Sequence, residues 1–139
     1  MDQTIIFFFA AIIIVGGLLY AAIELTKKST KHLDVDRYRK KWLAIEQQLR
    51  KDVPSSYHLV VLNADKLLDQ ALKERGTKGE TMGERMKNAA GLFSNRNNIW
   101  SAHKLRNQIA HETDVNVSHD AARHALSGFK QALKDVGAI

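Results

Sequence analysis

The sequence predicts an all-α protein in which a single N-terminal transmembrane helix is followed by a bundle of four or five helices. The stretch from Gln3 to Ile23 has no charged residue, and apolar residues in the rest of the chain recur with the helical period. No segment alternates apolar and polar residues as a half-buried strand does. These observations divide the chain into an anchor at 1–26, a basic juxtamembrane linker at 27–34 and a helical domain at 35–139.

The anchor is long enough to cross a bilayer, because about 20 residues rising about 1.5 Å each span a hydrocarbon core of roughly 30 Å. A cleaved signal peptide would have a basic start and a shorter apolar core. This chain starts with the acidic Asp2 and offers only a poor cleavage site at Ala21-Ala22. We therefore predict an uncleaved anchor, in which Gly17 and Ala21 permit close packing of two copies.

The charges beside the anchor predict its orientation. Lys27, Lys28 and Lys31 follow the span, and no Lys or Arg precedes it. Since cytoplasmic flanks are enriched in Lys and Arg, we expect a single-pass protein of the inner or cytoplasmic membrane. Its N-terminus would lie outside and its C-terminal domain in the cytoplasm.

Composition narrows the chemistry of the soluble domain. Without cysteine there is no disulfide, thiolate metal site or Cys nucleophile, and the 6 histidines form no HExxH-like pattern. We therefore expect no metal and no cofactor. The net charge is +6, and because Asp2 and Glu24 contribute −2 before Lys27, the part from Lys27 onward carries +8. This favours an acidic partner such as RNA, anionic lipid or an acidic protein, although a solvated basic face explains it equally well.

The first two helices of the bundle are predicted at about 35–51 and 55–75. The first has one apolar stripe, formed by Tyr38, Trp42, Ile45 and Leu49. Pro54 stops it. The second has apolar positions that include Leu59, Leu62, Leu67 and Ala71. Gly76 is placed to end it, so the Gly76–Gly79 segment is a helix-ending turn rather than a phosphate-binding loop.

Three further helices follow. A short one is predicted at about 81–92, and the polar segment 94–98 separates it from the next, at about 98–112. The last helix begins after its N-cap, Ser118. It is amphipathic, and its apolar positions are Ala121, Ala122, Ala125, Leu126, Phe129, Ala132, Leu133 and Val136.

The helix at 98–112 has an unusual surface. On a helical wheel, Ala102, Leu105 and Ile109 face the core, and Lys104 and Gln108 face solvent. The remaining arc mixes apolar, basic and titratable residues, namely Ile99, Trp100, His103, Arg106, Asn107, Ala110 and His111. We interpret this arc as a second interface that contains a polar site.

Arg106, Asn107 and His111 are the candidate site residues. Arg106 and His111 are five positions apart and diverge by roughly 140° on a straight helix, so one chain does not bring them together. A two-fold dimer would place both copies of each at a shared cleft. Asn107 is one turn before His111 and is placed to orient its imidazole.

The segment from Arg106 to His111 resembles the Arg-polar-x-x-x-His motif of the HEPN domains. The likeness covers about residues 35–139, in helix count, in the position of the motif in the penultimate helix and in the amphipathic helix that follows. It implies a HEPN-like bundle that forms a homodimer with the motif at its interface. In many members it also implies metal-independent RNA cleavage, in toxin–antitoxin or defence systems where an antitoxin or another regulatory protein is a partner.

The resemblance also implies a role for each residue. His111 would handle the proton of the ribose 2′-hydroxyl or of the leaving oxygen, Arg106 would bind the scissile phosphate, and Asn107 would position the site. Toxin members often carry a Tyr two residues after the His, where this chain has Thr113. Regulation by modification of that Tyr is therefore not expected.

Two alternatives stay open. In the first, the domain is a membrane-tethered adaptor without catalytic activity that binds RNA, a nucleotide or a protein partner. In the second, the motif residues have only a structural role. In the structural case Arg106 pairs with Glu112 or Asp120, and His111 stabilises the helix end as a cation. Trp42 and Trp100 are expected to be packing residues, with base stacking open to Trp100 alone.

Overall fold

The computed structural model describes residues 2–26 and 31–139 and divides the chain into two compact units, residues 1–30 and 31–139. Within the described residues every regular element is helical, which confirms the all-α class. Residues 27–30, which form half of the predicted basic linker at 27–34, lie outside the described part. Residues 31–34 are not helical.

The first unit contains helix α1, which runs from Gln3 to Thr26. None of its residues is buried. Its 24 residues, at about 1.5 Å each, give a length of about 36 Å. This helix is long and apolar enough to cross a membrane.

The second unit is a bundle built around one central helix. Its elements are α2 (Val35–Gln48), α3 (Pro54–Glu74), α4 (Met82–Asn88), a 3-10 turn (Ala90–Leu92), α5 (Arg96–His111) and α6 (His119–Asp135). Helix α3 packs against α2, α4, α5 and α6, and α5 also packs against α6. The apolar core therefore lies around α3, and it includes Tyr38, Val60, Leu68, Met86 and Phe129, each with 0% exposure.

The predicted helix ends at Ser118 and Gly76 are confirmed. The Ser118 hydroxyl accepts a hydrogen bond from the Ala121 amide at 3.0 Å and so caps α6. Gly76 has a φ of +88°, and the Gly76 and Thr77 amides donate to the Lys73 and Leu72 carbonyls. This pair of bonds is the Schellman motif, in which a residue with positive φ ends the helix.

Two predictions about α2 and α3 were wrong in detail. Helix α2 ends at Gln48 rather than near Lys51, because the Ser56 hydroxyl takes over hydrogen bonding at Arg50 and the chain turns at Asp52, whose φ is +67°. Pro54 begins α3, where its missing N–H costs nothing. Leu59 is 47% exposed, whereas Leu67 and Ala71 are buried on the face of α3 that also includes Val60, Val61, Ala64, Leu68 and Leu72.

The helix predicted at 81–92 is shorter than expected. Helix α4 ends at Asn88, and the chain continues as the 3-10 turn that contains Gly91. A glycine is a poor helix former, and tight 3-10 turns are common at helix ends. The helix predicted at 98–112 starts earlier, at Arg96, because Asn95 rather than a later residue caps it.

A buried ion pair holds α4 against α3. Arg85 is 5% exposed, and its Nε lies 2.6 Å from Asp69 Oδ1. Burial raises the pKa of the Asp69 carboxyl, but hydrogen bonds from Arg85 and Lys73 outweigh this effect and lower the pKa below its ordinary value. The pair fixes α4 beside the central helix and so forms one wall of the site described next.

Candidate functional site

A buried carboxylate and a buried imidazole join α3 to α5. Asp65 is 2% exposed and His103 is 7% exposed, and Asp65 Oδ1 lies 2.7 Å from His103 Nδ1. Asp65 stands on the apolar face of α3, beside Ala64 and three positions before Leu68. An aspartate is rarely buried unless it is paired, so His103 is what makes this position of Asp65 tolerable.

Asn107 and Arg106 close this pair into a ring of four side chains. Asn107 Nδ2 lies 3.3 Å from His103 Nε2, and Arg106 Nη1 donates to Asn107 Oδ1 at 2.9 Å. Arg106 Nε lies 3.2 Å from Asp65 Oδ2. That last contact is an ion pair only, because the buried Nε–H has no partner with hydrogen-bond geometry among the described residues.

The donors and acceptors of the four groups assign the proton positions within this ring. A guanidinium only donates and a carboxylate only accepts. The three hydrogen bonds agree with one another when Asn107 accepts from Arg106 and donates to His103 Nε2, which places the proton of a neutral imidazole on Nδ1, facing Asp65. This tautomer is assigned from the hydrogen-bond partners.

The structure places the three predicted site residues in different surroundings. Arg106 has 34% of its side chain exposed, and Asn107 is half-buried. His111 is the last residue of α5 and is exposed, and no hydrogen bond or ion pair joins its imidazole to another described residue. The imidazole that Asn107 contacts is that of His103, whereas the sequence predicted that of His111.

The predicted faces of α5 need correction. Ile99 and His103, which we placed on the second interface, are buried in the bundle. Ala102 is buried and Lys104 is exposed, as predicted, whereas Leu105 and Ile109 are half-buried. Helix α5 packs against both α3 and α6, so its buried face is wider than one stripe and includes part of the polar arc.

Sequence reasoning missed Asp65 and undervalued His103. The structural alternative for Arg106 proposed an acidic partner, but named Glu112 or Asp120 instead of Asp65. One signal was available: Asp65 is a charged residue on the apolar face of a predicted helix, between the buried Ala64 and Leu68. Such a residue needs a partner.

An open cavity of about 650 Å³ lies between α4 and α5, next to the ring. The Trp100 indole meets the His103 imidazole edge to face, with ring centroids 6.0 Å apart and planes at 79°. The residues that line the cavity are Thr81, Gly83, Glu84, Lys87, Trp100, Ser101, His103, Lys104 and Asn107. The ring thus presents His103 and Asn107 to a space of the size that small ligands occupy.

No protein-family model, no curated protein and no solved structure matches this chain. Within residues 2–26 and 31–139, no three His, Asp or Glu side chains come together as a group that would hold a metal ion.

Proposed function

We propose that this chain is a membrane-anchored endoribonuclease of the HEPN type, which cleaves RNA without a metal ion as a homodimer at the cytoplasmic face. One observation carries the proposal. The ring of Asp65, His103, Asn107 and Arg106 holds a partly exposed guanidinium on α5, five residues before the exposed His111. A fixed guanidinium suits a phosphate, and a solvent-accessible imidazole suits proton transfer.

The proposed reaction uses these two groups. His111 removes the proton of a ribose 2′-hydroxyl, and the 2′-oxygen attacks the neighbouring phosphorus. The bond from phosphorus to the 5′-oxygen breaks, and a protonated imidazole supplies the proton that this oxygen needs. The products are a 2′,3′-cyclic phosphate and a free 5′-hydroxyl. Arg106 stabilises the negative charge on the phosphoryl oxygens in the transition state.

The reaction requires a second copy of the chain. Arg106 and His111 diverge by roughly 140° around α5, so a single copy does not direct both groups at one phosphate. A two-fold axis beside α5 would bring two of each to one cleft. Confinement in a membrane raises the effective concentration of the protomers, so a modest dimer interface suffices.

The orientation of the anchor completes the proposal. Lys27, Lys28 and Lys31 favour a cytoplasmic location for the bundle. Because the chain has no cysteine, a single introduced cysteine reports its own side of the membrane. We expect Asp2→Cys to react with an impermeant maleimide in intact cells, and Lys134→Cys to react only after permeabilisation. The opposite pattern would refute this topology.

RNA cleavage by the full chain in detergent micelles with EDTA tests the activity. We expect the wild type to yield 5′-hydroxyl ends, and His111→Ala to lose roughly 10²- to 10⁴-fold in rate, the usual contribution of a general acid or base. His124→Ala, which removes another exposed histidine on α6, is the matched control and should retain the rate. Equal rates for wild type and His111→Ala would overturn the proposal.

A second candidate is a membrane-tethered module that binds RNA without cutting it. The observation that favours it is the Asp65 carboxylate, which already neutralises Arg106. This candidate predicts binding that weakens steeply with salt and no cleavage product from the wild type. The same assay, combined with a binding measurement, separates the two.

A further inference from the structure

We propose that the cavity between α4 and α5 receives one nucleotide of the bound RNA, with its base against Trp100 and a phosphate between Lys87 and Lys104. This inference rests on the proposed function in taking RNA as the ligand. It extends that function by assigning the cavity, which contains neither Arg106 nor His111, as a separate nucleotide subsite.

Trp100 supplies a surface for the base. Its side chain is half-buried, and the edge-to-face contact with His103 holds the indole in place. A base gains about 1–3 kcal/mol from stacking on an aromatic side chain, largely independent of its identity. An indole that lines an open cavity on a helix surface is suited to this contact, whereas Trp42, which is 3% exposed, is not accessible.

Asn107 supplies hydrogen-bonding groups at the same cavity. Its Oδ1 accepts one bond from Arg106, and its Nδ2 gives one to His103. A carboxamide has two lone pairs and two N–H bonds. One acceptor and one donor position therefore remain for a base edge, and the ring fixes their direction.

Two lysines from different helices supply the cations. Lys87 on α4 and Lys104 on α5 are both exposed and both line the cavity. The acidic residue of the lining is Glu84, whose Oε2 accepts a hydrogen bond from the Glu80 amide at 2.7 Å. The two exposed ammonium groups favour a phosphate, while the half-buried indole favours an aromatic ring.

Gly83 keeps the cavity open beside the ring. A Cβ added at Gly83 would lie 4.0 Å from His103 Nε2 and 4.0 Å from Thr81 Oγ1, which is ordinary contact. A small side chain would therefore fit without displacing the backbone, and a longer one would occupy the space assigned to the nucleotide. A long side chain at position 83 would therefore fill the cavity while Trp100, Lys87 and Lys104 stay unchanged.

The cavity also lies next to the proposed reaction centre. Asn107 belongs to both, because it lines the cavity and accepts a hydrogen bond from Arg106. A nucleotide in the cavity would therefore contact the side chain to which Arg106 donates.

The test measures the affinity of the full chain in detergent micelles for fluorescein-labelled single-stranded RNA, by anisotropy. His111→Ala is the common background, so that RNA is not consumed. We expect Trp100→Leu to raise Kd about 5- to 150-fold, the equivalent of one stacked base, and Trp100→Phe to restore most of the affinity. Lys104→Gln should raise Kd and reduce the salt slope by about 1.

Two variants complete the design. Gly83→Leu fills the cavity and should weaken binding, with the fold checked by tryptophan fluorescence. Lys134→Gln removes an exposed lysine outside the cavity and should leave Kd within about twofold, since one distant surface charge is largely screened. Unchanged affinity in Trp100→Leu, Lys104→Gln and Gly83→Leu overturns the subsite, even if the wild type cleaves RNA.

The outcomes separate this inference from the proposed function. If the wild type fails to cleave but the cavity variants lose RNA affinity, the ribonuclease proposal fails and the subsite stands. Free adenosine or uridine monophosphate serves as a second ligand. If it binds as tightly as RNA and depends on the same residues, the cavity is a site for a free nucleotide, and the assignment to an RNA unit is wrong.

Discussion

Replacing Asp65 by alanine should destabilise the bundle more than an ordinary polar substitution. The change removes the carboxylate that accepts the hydrogen bond from His103 Nδ1–H. Because the His103 side chain is only 8% exposed, water does not replace this acceptor, and an unsatisfied buried donor costs about 1–3 kcal/mol. Arg106 also loses its ion-pair partner. Because 34% of that side chain is exposed, water screens the charge and the added cost is about 1 kcal/mol or less.

The total is a loss of about 1–4 kcal/mol in unfolding free energy, or about 4–16 °C in Tm at about 4 °C per kcal/mol for a domain of this size. Asp65→Asn should cost about half as much, because the asparagine oxygen still accepts the hydrogen bond from His103. The remaining cost arises because the asparagine NH₂ group would face the Arg106 Nε–H, so that two donors meet. Both tryptophans, Trp42 and Trp100, belong to the bundle, so thermal unfolding followed by tryptophan fluorescence reports on the bundle without interference from α1.

A double-mutant cycle with His103→Ala tests the reasoning itself. If the two side chains stabilise the fold through their mutual contact, the cycle should give a coupling of about 0.5–3 kcal/mol. Additive losses, or a loss below about 1 kcal/mol for Asp65→Ala alone, would refute the view that this pair joins α3 to α5.

Further predictions concern stability alone. Gly83→Ala should stabilise the bundle by about 0.4–1 kcal/mol, because alanine fits this first turn of α4 and restricts the unfolded chain. Gly76→Ala should instead destabilise it by about 1–2 kcal/mol at its φ of +88°; urea unfolding would show both, and effects of the same sign would contradict the assigned backbone. Ser118→Ala should lower stability by about 1 kcal/mol through loss of the α6 cap, and an unchanged Tm would argue against that cap. The folded pKa of Asp69 is lowered, so its contribution is complete above its unfolded pKa of about 4 and is lost as the pH falls through the folded value. The stability difference between wild type and Asp69→Asn should therefore shrink on acidification below about pH 4, and a difference that grows instead would show the sign to be wrong.

Most helices of the bundle could be predicted from sequence because their signals are local. Tyr38, Trp42 and Ile45 recur with the helical period on α2 and are all buried. The Ser118 and Gly76 signals also act within a few residues. Ser118 marks the start of α6, and Gly76 marks the end of α3. Periodicity and capping need no knowledge of which helix lies beside which.

The site could be predicted only in part, because its partners are distant in sequence. Asp65 and His103 are 38 positions apart, and helical periodicity identifies an apolar face without identifying the helix that covers it. Leu59 illustrates the same limit, since α3 is covered on several sides and the position of its exposed strip depends on where its neighbours lie. The sequence named Arg106 and Asn107 as candidates, but their contacts with Asp65 and His103 follow from tertiary packing.

The hydrogen bonds that run from Arg106 through Asn107 and His103 to Asp65 have only one direction, from the guanidinium to the carboxylate. Each intervening residue must accept on one side and donate on the other, which Asn107 and a neutral His103 both do. A homologous chain that loses the aspartate should therefore change the histidine as well, since a buried donor would otherwise have no acceptor. Distant relatives of this protein should be recognisable by that covariation between α3 and α5, even where α1 and the surface have diverged beyond alignment.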